Sequence, residues 1–204
     1  MITIVDYGLG NIQAFANVYK RANIECRTAR TAEELNGAKR IVLPGVGAFD
    51  YAMARLNASG MRDVLDDLVI KKGVPVVGIC VGMQILAESS DEGVSAGLGW
   101  IPGKVRKFDV SQFRHSTHLP HMGWNDVVPG RPSRLFAGLE SDARFYFLHS
   151  YYFDPKDQSH SLATSEYGIR FSSAVNLNNI YGVQFHPEKS HHYGIQLLTN
   201  FAEV

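Results

Sequence analysis

The stretch Gly78-Ile79-Cys80-Val81-Gly82 follows the apolar run 74–77 and precedes Met83-Gln84-Ile85-Leu86-Ala87-Glu88, whose composition favours a helix. Cys80 is therefore predicted at a sharp turn between a buried strand and a helix, where flanking glycines let the backbone turn tightly. A thiol at this position lies near a helix N-terminus, whose partial positive charge favours the thiolate. The stretch predicts a nucleophilic cysteine at the edge of a sheet.

Short apolar runs alternate with helical patterns in the first half of the chain. Apolar residues recur at i, i+3, i+4 and i+7 from Ile12 to Tyr19, which predicts one face of a helix. Strands are predicted at 2–5, 40–43 (ended by Pro44-Gly45) and 74–79, and a longer helical stretch at 51–72 with a break near 59–60. Continuous apolar strands separated by helices imply a parallel sheet that is buried on both faces.

The pattern changes after Gly93, where Gly-rich connections and strand-like runs dominate. The runs cover 104–108, 125–128, 144–148, 170–175 and 180–185, and a helix is predicted at 192–201. This half is expected to be mixed or antiparallel. The predicted fold class is α/β: one domain over residues 1–204, with a central, mostly parallel sheet flanked by helices and with additional mixed or antiparallel strands. Its site is expected at the carboxyl ends of the strands, where open sheets bind ligands.

Composition narrows the classes of function. The 204 residues carry a formal net charge of zero, which argues against nucleic-acid partners and anionic membranes. No run approaches the ~18 apolar residues of a membrane span, and the N-terminus lacks the basic segment of a signal peptide. The two cysteines, Cys26 and Cys80, fit no disulfide or metal framework. A reducing cytoplasm, which keeps Cys80 a free thiol, is the expected location.

The sequence Phe185-His186-Pro187-Glu188 can supply a base for the thiol and a group that orients the base. Pro187 cannot continue a strand ladder, so the preceding strand should end there, with His186 at the sheet edge. Glu188 is close enough to hold one imidazole nitrogen while the other faces the thiol. A His-Pro-Glu sequence alone is more often a structural turn than a catalytic one. The catalytic prediction therefore rests on the combination with Cys80.

The loop Pro44-Gly45-Val46-Gly47 is the third element of the predicted site. Its glycines permit backbone conformations in which main-chain N–H groups face a ligand. The amides of Val46 and Val81 are the predicted donors to an oxyanion. The loop lacks both the Gly-x-Gly-x-x-Gly extension and a Walker lysine, so nucleotide binding is not expected.

Three histidines, His115, His118 and His121, occur at three-residue spacing. No cysteine or carboxylate completes a set of four ligands, which zinc sites usually show. No metal and no other cofactor is therefore predicted.

Three motifs, at 44–47, 78–84 and 184–190, resemble in order and spacing those of the class I (triad) glutamine amidotransferases. Two further stretches, Asp6-Tyr7-Gly8-Leu9-Gly10-Asn11 and Pro120-His121-Met122-Gly123-Trp124-Asn125, resemble the glutaminase subunits of imidazole glycerol phosphate synthases, as does the run 147–151. The resemblance extends over the whole chain.

The resemblance implies hydrolysis of L-glutamine to L-glutamate and ammonia by a triad of Cys80, His186 and Glu188. It further implies that the substrate is bound by the following residues: the Gly47 backbone, Gln84, Glu92, Ser150 and Tyr151. The implied partner is a synthase (cyclase) subunit with a (βα)8-barrel fold, which forms a heterodimer and uses the ammonia to make imidazole glycerol phosphate and AICAR in histidine biosynthesis. The residues implied at that interface are Asn11, His121, Met122, Trp124, Asn125, Tyr146 and Lys189.

Several alternatives remain open from the sequence. Val81 stands where the family usually has leucine, which leaves room for a paralogue that serves another synthase. The runs 151–153 and 190–194 are similar to relatives associated with ATP-dependent sugar amidotransferases of surface-polysaccharide synthesis. A non-catalytic synthase activator is disfavoured by the intact triad. A cysteine peptidase is disfavoured because Met83-Gln84 and the 44–47 loop fit a glutamine pocket.

Overall fold

The computed structural model describes residues 1–113 and 118–204, and the bounds of its elements are as follows. The strands are β1 (Ile2–Val5), β2 (Cys26–Ala29), β3 (Ile41–Gly45), β4 (Val76–Cys80), β5 (Ser89–Ser90), β6 (Gly103–Lys107), β7 (His121–Asp126), β8 (Val128–Pro129), β9 (Arg144–His149), β10 (Tyr151–Pro155), β11 (Ser161–Tyr167), β12 (Ile169–Leu177) and β13 (Ile180–Val183). The α-helices are α1 (Ile12–Arg21), α2 (Ala32–Leu35), α3 (Phe49–Ala58), α4 (Arg62–Asp66), α5 (Val81–Gln84) and α6 (His191–Phe201). A π-helical turn (Asp67–Lys71) follows α4, and 3-10 turns occur at Val110–Gln112, Arg134–Phe136, Gln158–His160 and Pro187–Lys189.

Within the described residues, one large sheet runs in the order β2-β1-β3-β4-β13-β12-β10-β6-β5, and β11 pairs with β12 and β8. The pairs β1–β2, β1–β3, β3–β4 and β4–β13 are parallel, whereas β12–β13, β10–β12 and β6–β10 are antiparallel. The predicted α/β class, with a parallel first half and a mixed second half, is confirmed. Strand β2 was not predicted, because the polar Arg27 and Thr28 give it no apolar signal at this edge of the sheet.

The sequence predicted that strand β3 ends before Pro44-Gly45, but the strand includes both residues. Pro44 pairs with Ile79 and Gly45 with Cys80 on strand β4. The Ile41 N–H points toward β4, donating to the Pro75 carbonyl, so strand alternation turns the Pro44 nitrogen to the opposite side, toward β1. Pairing with β1 has already ended at Val42, so proline removes no ladder hydrogen bond there.

The helix predicted over 83–88 is much shorter than expected. Helix α5 ends at Gln84, although Ile85, Leu86 and Ala87 are fully buried. The carbonyls at 85–87 accept hydrogen bonds from N–H groups of the segment 98–101, at 2.8–3.1 Å. These tertiary partners replace the i→i−4 bonds of a longer helix, so helix propensity is overridden by contacts that are distant in sequence.

Strands β7 and β9 form a separate two-stranded antiparallel ribbon in which His121 pairs with His149 and Trp124 with Tyr146. Side chains alternate between its two faces. His149, Phe147 and Phe145 point inward, whereas Met122, Trp124 and Leu148 are among the exposed large apolar residues. The ribbon therefore has one face in the core and one apolar face in solvent.

The predicted break in the 51–72 helix is present, because α3 ends at Ala58 and α4 begins at Arg62. The closing helix begins at His191, one residue before its predicted start. No helix in residues 1–113 or 118–204 is long and apolar enough to span a membrane.

Candidate active site

Cys80 lies at the junction of β4 and α5, with φ +56° and ψ −114°. A positive φ is uncommon for a residue with a side chain, and such strain is typical of a nucleophile held at a strand-to-helix turn. The turn packs against strand β3 so closely that Gly82 has no room for a Cβ, which would clash with the Leu43 carbonyl oxygen. A Cβ on Gly78 would clash with the Gly82 carbonyl. The glycines predicted to shape this turn are therefore required by its packing.

Replacement of Gly82 by alanine is expected to lower the free energy of unfolding by about 1–3 kcal/mol, because overpacking against backbone atoms forces the turn to move. Turnover should fall with it, since Cys80 lies two residues away. Gly130→Ala is the matched control, because a Cβ there meets only an ordinary contact at 3.7 Å. Chemical denaturation of the two variants measures the difference. Equal stability of both would contradict the close packing described here.

His186 and Glu188 form the expected pair after strand β13. His186 Nδ1 lies 2.8 Å from Glu188 Oε1, and both side chains are almost fully buried. Burial lowers the pKa of His186, but hydrogen bonds to Cys80 and Glu188 and the charges of both groups outweigh it and raise the pKa to about 10. The imidazolium form is thus favoured at neutral pH beside the sulfur, an arrangement that stabilises a thiolate.

The backbone around His186 is fixed by hydrogen bonds from neighbouring elements. The His186 N–H donates to the Tyr146 carbonyl of β9 at 2.8 Å. The fully buried Ser190 hydroxyl donates to the His186 carbonyl at 2.6 Å and accepts from the Tyr146 N–H at 3.0 Å. These bonds tie the histidine to the β7–β9 ribbon, so its orientation depends on the ribbon as well as on the central sheet.

A cavity of about 310 Å³ opens at this edge of the sheet, within the size range of small-molecule sites. Among its lining residues are these predicted catalytic, oxyanion and substrate groups: Val46, Gly47, Cys80, Val81, Gln84, Glu92, Ser150, Tyr151 and His186. Of the predicted residues in those three sets, only Glu188 is not at the cavity wall, since it lies behind His186. Residues from strand ends far apart in sequence thus meet at one site.

The two predicted oxyanion donors differ in their surroundings. Val81 is the first residue of α5, where main-chain N–H groups lack an intrahelical partner. Val46 follows strand β3 on a loop and is 41% exposed. Both residues line the cavity, so the site can offer two backbone donors beside the thiol.

Gln84 uses both of its side-chain N–H donors inside the protein. Its Nε2 donates to the Tyr151 carbonyl at 3.3 Å and to Gln184 Oε1 at 3.1 Å. An amide nitrogen has two hydrogens, so only the Oε1 acceptor remains for a ligand. If Gln84 binds a substrate, it can accept from an ammonium group and cannot donate to a carboxylate.

Glu92 caps helix α3 as well as lining the cavity. Its Oε2 accepts from the Phe49 N–H at 2.8 Å, and Ala48 at the N-cap position supplies no side-chain cap of its own. A carboxylate at a helix N-terminus is favoured by the helix dipole. The position of Glu92 in the cavity is therefore set by α3, and the residue has a structural role in addition to the predicted one.

Most of the predicted interface residues lie on the outer face of the ribbon or beside it. Met122 is 65% exposed and Trp124 39% exposed. The Trp124 ring stacks on His191 at 5.3 Å, and the Lys189 ammonium lies over the Tyr146 ring at 5.9 Å. Lys189 also lines the cavity, so the exposed apolar face and the mouth of the site are continuous.

Three residues predicted at the interface are engaged within the protein. The His121 side chain is buried and stacks between Phe147 and Tyr167 at centroid distances of 4.7 and 4.0 Å. Asn125 donates to the Glu166 carbonyl at 2.8 Å. Asn11 caps α1 by accepting from Ala14 N–H at 3.2 Å. β-Alternation turns the His121 side chain inward while its neighbour Met122 points outward, and contact of His121 with a partner stays a prediction.

The histidine triplet brings no ligand set together within the described residues. His115 lies outside them, His118 is exposed, and both ring nitrogens of His121 lie within hydrogen-bonding distance of other side chains. No group of three or more possible metal-ligating side chains occurs in the part of the chain that the structure describes.

Two residues near the site were missed from the sequence. Gln184 is fully buried, and its Nε2 lies 3.9 Å from Cys80 Sγ in the geometry of a weak hydrogen bond. His149 lines the cavity, and its Nδ1 lies 2.7 Å from the Tyr151 carbonyl oxygen. A signal was present for Gln184, because a polar residue between Val183 and Phe185 in an apolar run requires a buried partner.

The comparisons with known proteins agree on one family. The family model "Glutamine amidotransferase class-I" matches residues 3–204. Among solved structures, a glutamine amidotransferase superposes with a TM-score of 0.75 at 19% identity over 100% of this chain and 99% of that one. The structure of PurLQS from Thermotoga maritima gives 0.73 at 16% identity over 99% and 97%. At these identities the structures support the fold alone.

Curated relatives are closer in sequence. The imidazole glycerol phosphate synthase subunit HisH of Bdellovibrio bacteriovorus is 64% identical over the full length of both chains. Its counterpart from Leptospira interrogans is 52% identical over the same extent, and HisH 2 of Pseudomonas aeruginosa is 44% identical over both full lengths. With a family model over nearly the whole chain and relatives that match from end to end, this chain belongs to the class I glutamine amidotransferases.

Proposed function

We propose that this protein is a glutaminase in which Cys80, His186 and Glu188 hydrolyse L-glutamine to L-glutamate and ammonia. The observation that carries the proposal is that a cysteine in a strained turn and the histidine of a buried His–Glu pair line the same cavity. A nucleophile, a base and an orienting carboxylate in hydrogen-bond reach are the recurring arrangement of covalent acyl transfer. No cofactor takes part in the proposed reaction.

The first step forms a thioester. The Cys80 thiolate attacks the side-chain amide carbon of glutamine, and the carbonyl oxygen becomes an oxyanion that the Val46 and Val81 N–H groups stabilise. The His186 imidazolium then gives its proton to the departing nitrogen. The carbon–nitrogen bond breaks, ammonia leaves, and a γ-glutamyl thioester and neutral His186 remain.

The second step hydrolyses the thioester. Neutral His186 takes a proton from a water molecule as the water oxygen attacks the thioester carbonyl. The same two backbone donors hold the second oxyanion, the carbon–sulfur bond breaks, and glutamate leaves with the thiolate restored. Glu188 accepts the Nδ1–H of His186 throughout, which fixes the ring and stabilises its charged form.

The free functional groups at the cavity wall suit the two ends of glutamine. Gln84 Oε1 and the Glu92 carboxylate are acceptors for the α-ammonium group. The Gly47 backbone, Ser150 and Tyr151 can hold the α-carboxylate, since each can provide a hydrogen-bond donor. We infer that this division selects an α-amino acid with a terminal carboxamide.

The ammonia acceptor is inferred from the relatives and the surface together. Full-length relatives at 64% and 52% identity bear the name of an imidazole glycerol phosphate synthase subunit, which favours histidine biosynthesis over the polysaccharide alternative. The exposed apolar face of the β7–β9 ribbon is continuous with the cavity mouth. We infer that a cyclase subunit, expected as a (βα)8 barrel in a heterodimer, docks there and receives the ammonia. The cytoplasm remains the predicted location.

The function is tested by measuring glutamate and ammonia release from the purified protein, alone and with the cyclase subunit of imidazole glycerol phosphate synthase from the same genome. The proposal expects glutamine-dependent formation of imidazole glycerol phosphate by the pair. Glutamate release with no transfer to that acceptor would retain the glutaminase and reject the histidine pathway. Absence of glutamate release in the complex would reject both.

A docking variant tests the inferred interface separately. Met122→Asp should weaken association with the cyclase at least tenfold, because a charge would be buried in the apolar centre of the contact. Ile70→Asp is the matched control, since Ile70 is also exposed, at 53%, but lies on the π-helical turn away from the ribbon. Binding measured by calorimetry should separate the two. Equal affinities of both variants would rule out docking on this face.

A further inference from the structure

A buried chain of hydrogen bonds begins on the docking strand β7. Asn125 Nδ2 lies 3.2 Å from His121 Nε2, and His121 Nδ1 lies 2.9 Å from His149 Nε2 on the neighbouring strand. His149 Nδ1 in turn lies 2.7 Å from the Tyr151 carbonyl oxygen. His121 and His149 are 3% and 6% exposed, so the chain runs through the interior.

One assignment of hydrogens satisfies every contact. The Tyr151 carbonyl can only accept, so His149 must carry its hydrogen on Nδ1, which leaves Nε2 as an acceptor. His121 must then donate from Nδ1 and accept at Nε2, where the Asn125 amide supplies the donor. Each of these hydrogen bonds is therefore donated in the same direction, from the docking strand toward the site.

Both imidazoles are neutral at pH 7. Burial lowers the pKa of His121 to about 4 and that of His149 to about 3, with a contribution for His149 from the adjacent His121. The cluster of Phe147, Phe171 and Tyr167 around them explains this burial. As neutral rings they serve as oriented donors and acceptors.

The chain continues to the nucleophile. The Tyr151 carbonyl also accepts from Gln84 Nε2, whose other hydrogen goes to Gln184 Oε1, and Gln184 Nε2 in turn points to Cys80 Sγ. The Tyr151 carbonyl oxygen, which also accepts from His149, and Gln184 Oε1 are the two acceptors of the Gln84 amide nitrogen. Together they fix the orientation of the Gln84 amide. Its Oε1 is directed away from these partners and is left for the ligand.

We propose that His149 is a positioning residue for the glutamine site. Its Nδ1–H holds the Tyr151 carbonyl and, through that carbonyl, the Gln84 amide. Its Nε2 accepts a hydrogen bond from His121 on the docking strand. The proposal rests on the proposed glutaminase function for its kinetic test. It gives the docking strand β7 a physical connection to the substrate contacts. The connection differs from the one that ties the backbone of His186 to the ribbon.

The kinetic test compares two variants at the same position. His149→Phe fits the aromatic surroundings but has no donor, and it should raise KM for glutamine about 3–10-fold, the effect of one lost hydrogen bond, with a smaller change in kcat. His149→Asn retains a donor at the Nδ1 position and should bring KM to within about twofold of wild type. His192→Phe, on the exposed start of α6, is the control with unchanged KM.

A double-mutant cycle tests whether the effect passes through Gln84. In the Gln84→Leu background, His149→Phe should leave KM unchanged, since the amide it positions is already absent. The same increase in both backgrounds would overturn the proposal. So would an unchanged KM in His149→Phe, or an asparagine variant no better than the phenylalanine one.

A measurement that does not depend on catalysis tests this proposal separately from the proposed function. Nitrogen-15 chemical shifts of the histidine rings in the intact wild-type protein should show His149 as the neutral Nδ1–H tautomer. That result would support the hydrogen-bond chain even if the protein failed to hydrolyse glutamine. A failure of hydrolysis would reject only the proposed glutaminase function. An Nε2–H tautomer, or a charged ring at pH 7, would overturn the positioning role of His149.

Discussion

Replacement of Cys80 by alanine is expected to lower glutamate release by about 10⁴-fold or more, since removal of a nucleophile that acts with its base as a unit abolishes the covalent route. The remaining cavity would still bind glutamine, so the loss should appear in kcat. The assay is glutamate release in the presence of the synthase partner. Undiminished release by the variant would exclude the mechanism.

Cys26 provides the matched control for that experiment. It is only partly buried, its thiol lies 3.9 Å from the Ala16 carbonyl, and burial raises its pKa, so it is a poor thiolate at neutral pH. Cys26→Ala should retain full activity. A glutamine-like electrophile should label Cys80 and leave Cys26 unmodified, and mass spectrometry of the digested protein distinguishes the two. Labelling at Cys26 would show that the nucleophile has been misassigned.

The second large effect is expected at His186. His186→Ala should reduce turnover by about 10²–10⁴-fold, the usual contribution of a general acid–base residue. Glu188→Ala should cost less, because Glu188 orients and stabilises the imidazolium but transfers no proton to the substrate. Glu188→Gln keeps the shape of the side chain and isolates the effect of its charge. An equal or larger loss in the Glu188 variants would mean that the two roles have been misassigned.

The raised pKa of His186 predicts a pH dependence that can be measured without glutamine. Since the imidazolium persists through neutral pH and favours the thiolate, alkylation of Cys80 by a small neutral reagent should be rapid at pH 6–7. In His186→Ala no imidazolium faces the sulfur, so alkylation of Cys80 at the same pH should be slower. Identical pH profiles for both proteins would contradict the proposed ion pair.

The main features of the fold and site follow from local sequence. The apolar run before Gly78 and the glycines on each side of Cys80 require a buried strand and a tight turn, and both are present. The sequence His-Pro-Glu predicts the contact between base and carboxylate, because the two lie only two positions apart. The predicted end of the strand at Pro187 is wrong, since β13 already ends at Val183. These features are predictable because each depends on residues that are adjacent in the chain.

Features that depend on distant partners could not be predicted. Helix α5 stops at Gln84 because the segment 98–101 supplies hydrogen bonds to the next carbonyls. The burial of His121 depends on the register between β7 and β9, which the sequence does not reveal. The link between Gln84 and Gln184 joins residues one hundred positions apart. In each case the tertiary partner, and not the local pattern, decides the outcome.

In the proposed reaction, glutamine is hydrolysed through a covalent intermediate on Cys80. Its most direct test is rapid mixing of the wild-type complex with glutamine, an acid quench, and peptide mass spectrometry to locate the γ-glutamyl group. A glutamyl thioester should be found on the peptide that contains Cys80, and it should be absent from the Cys80→Ala protein. A glutamyl adduct on another residue, or glutamate release by Cys80→Ala at the wild-type rate, would contradict it.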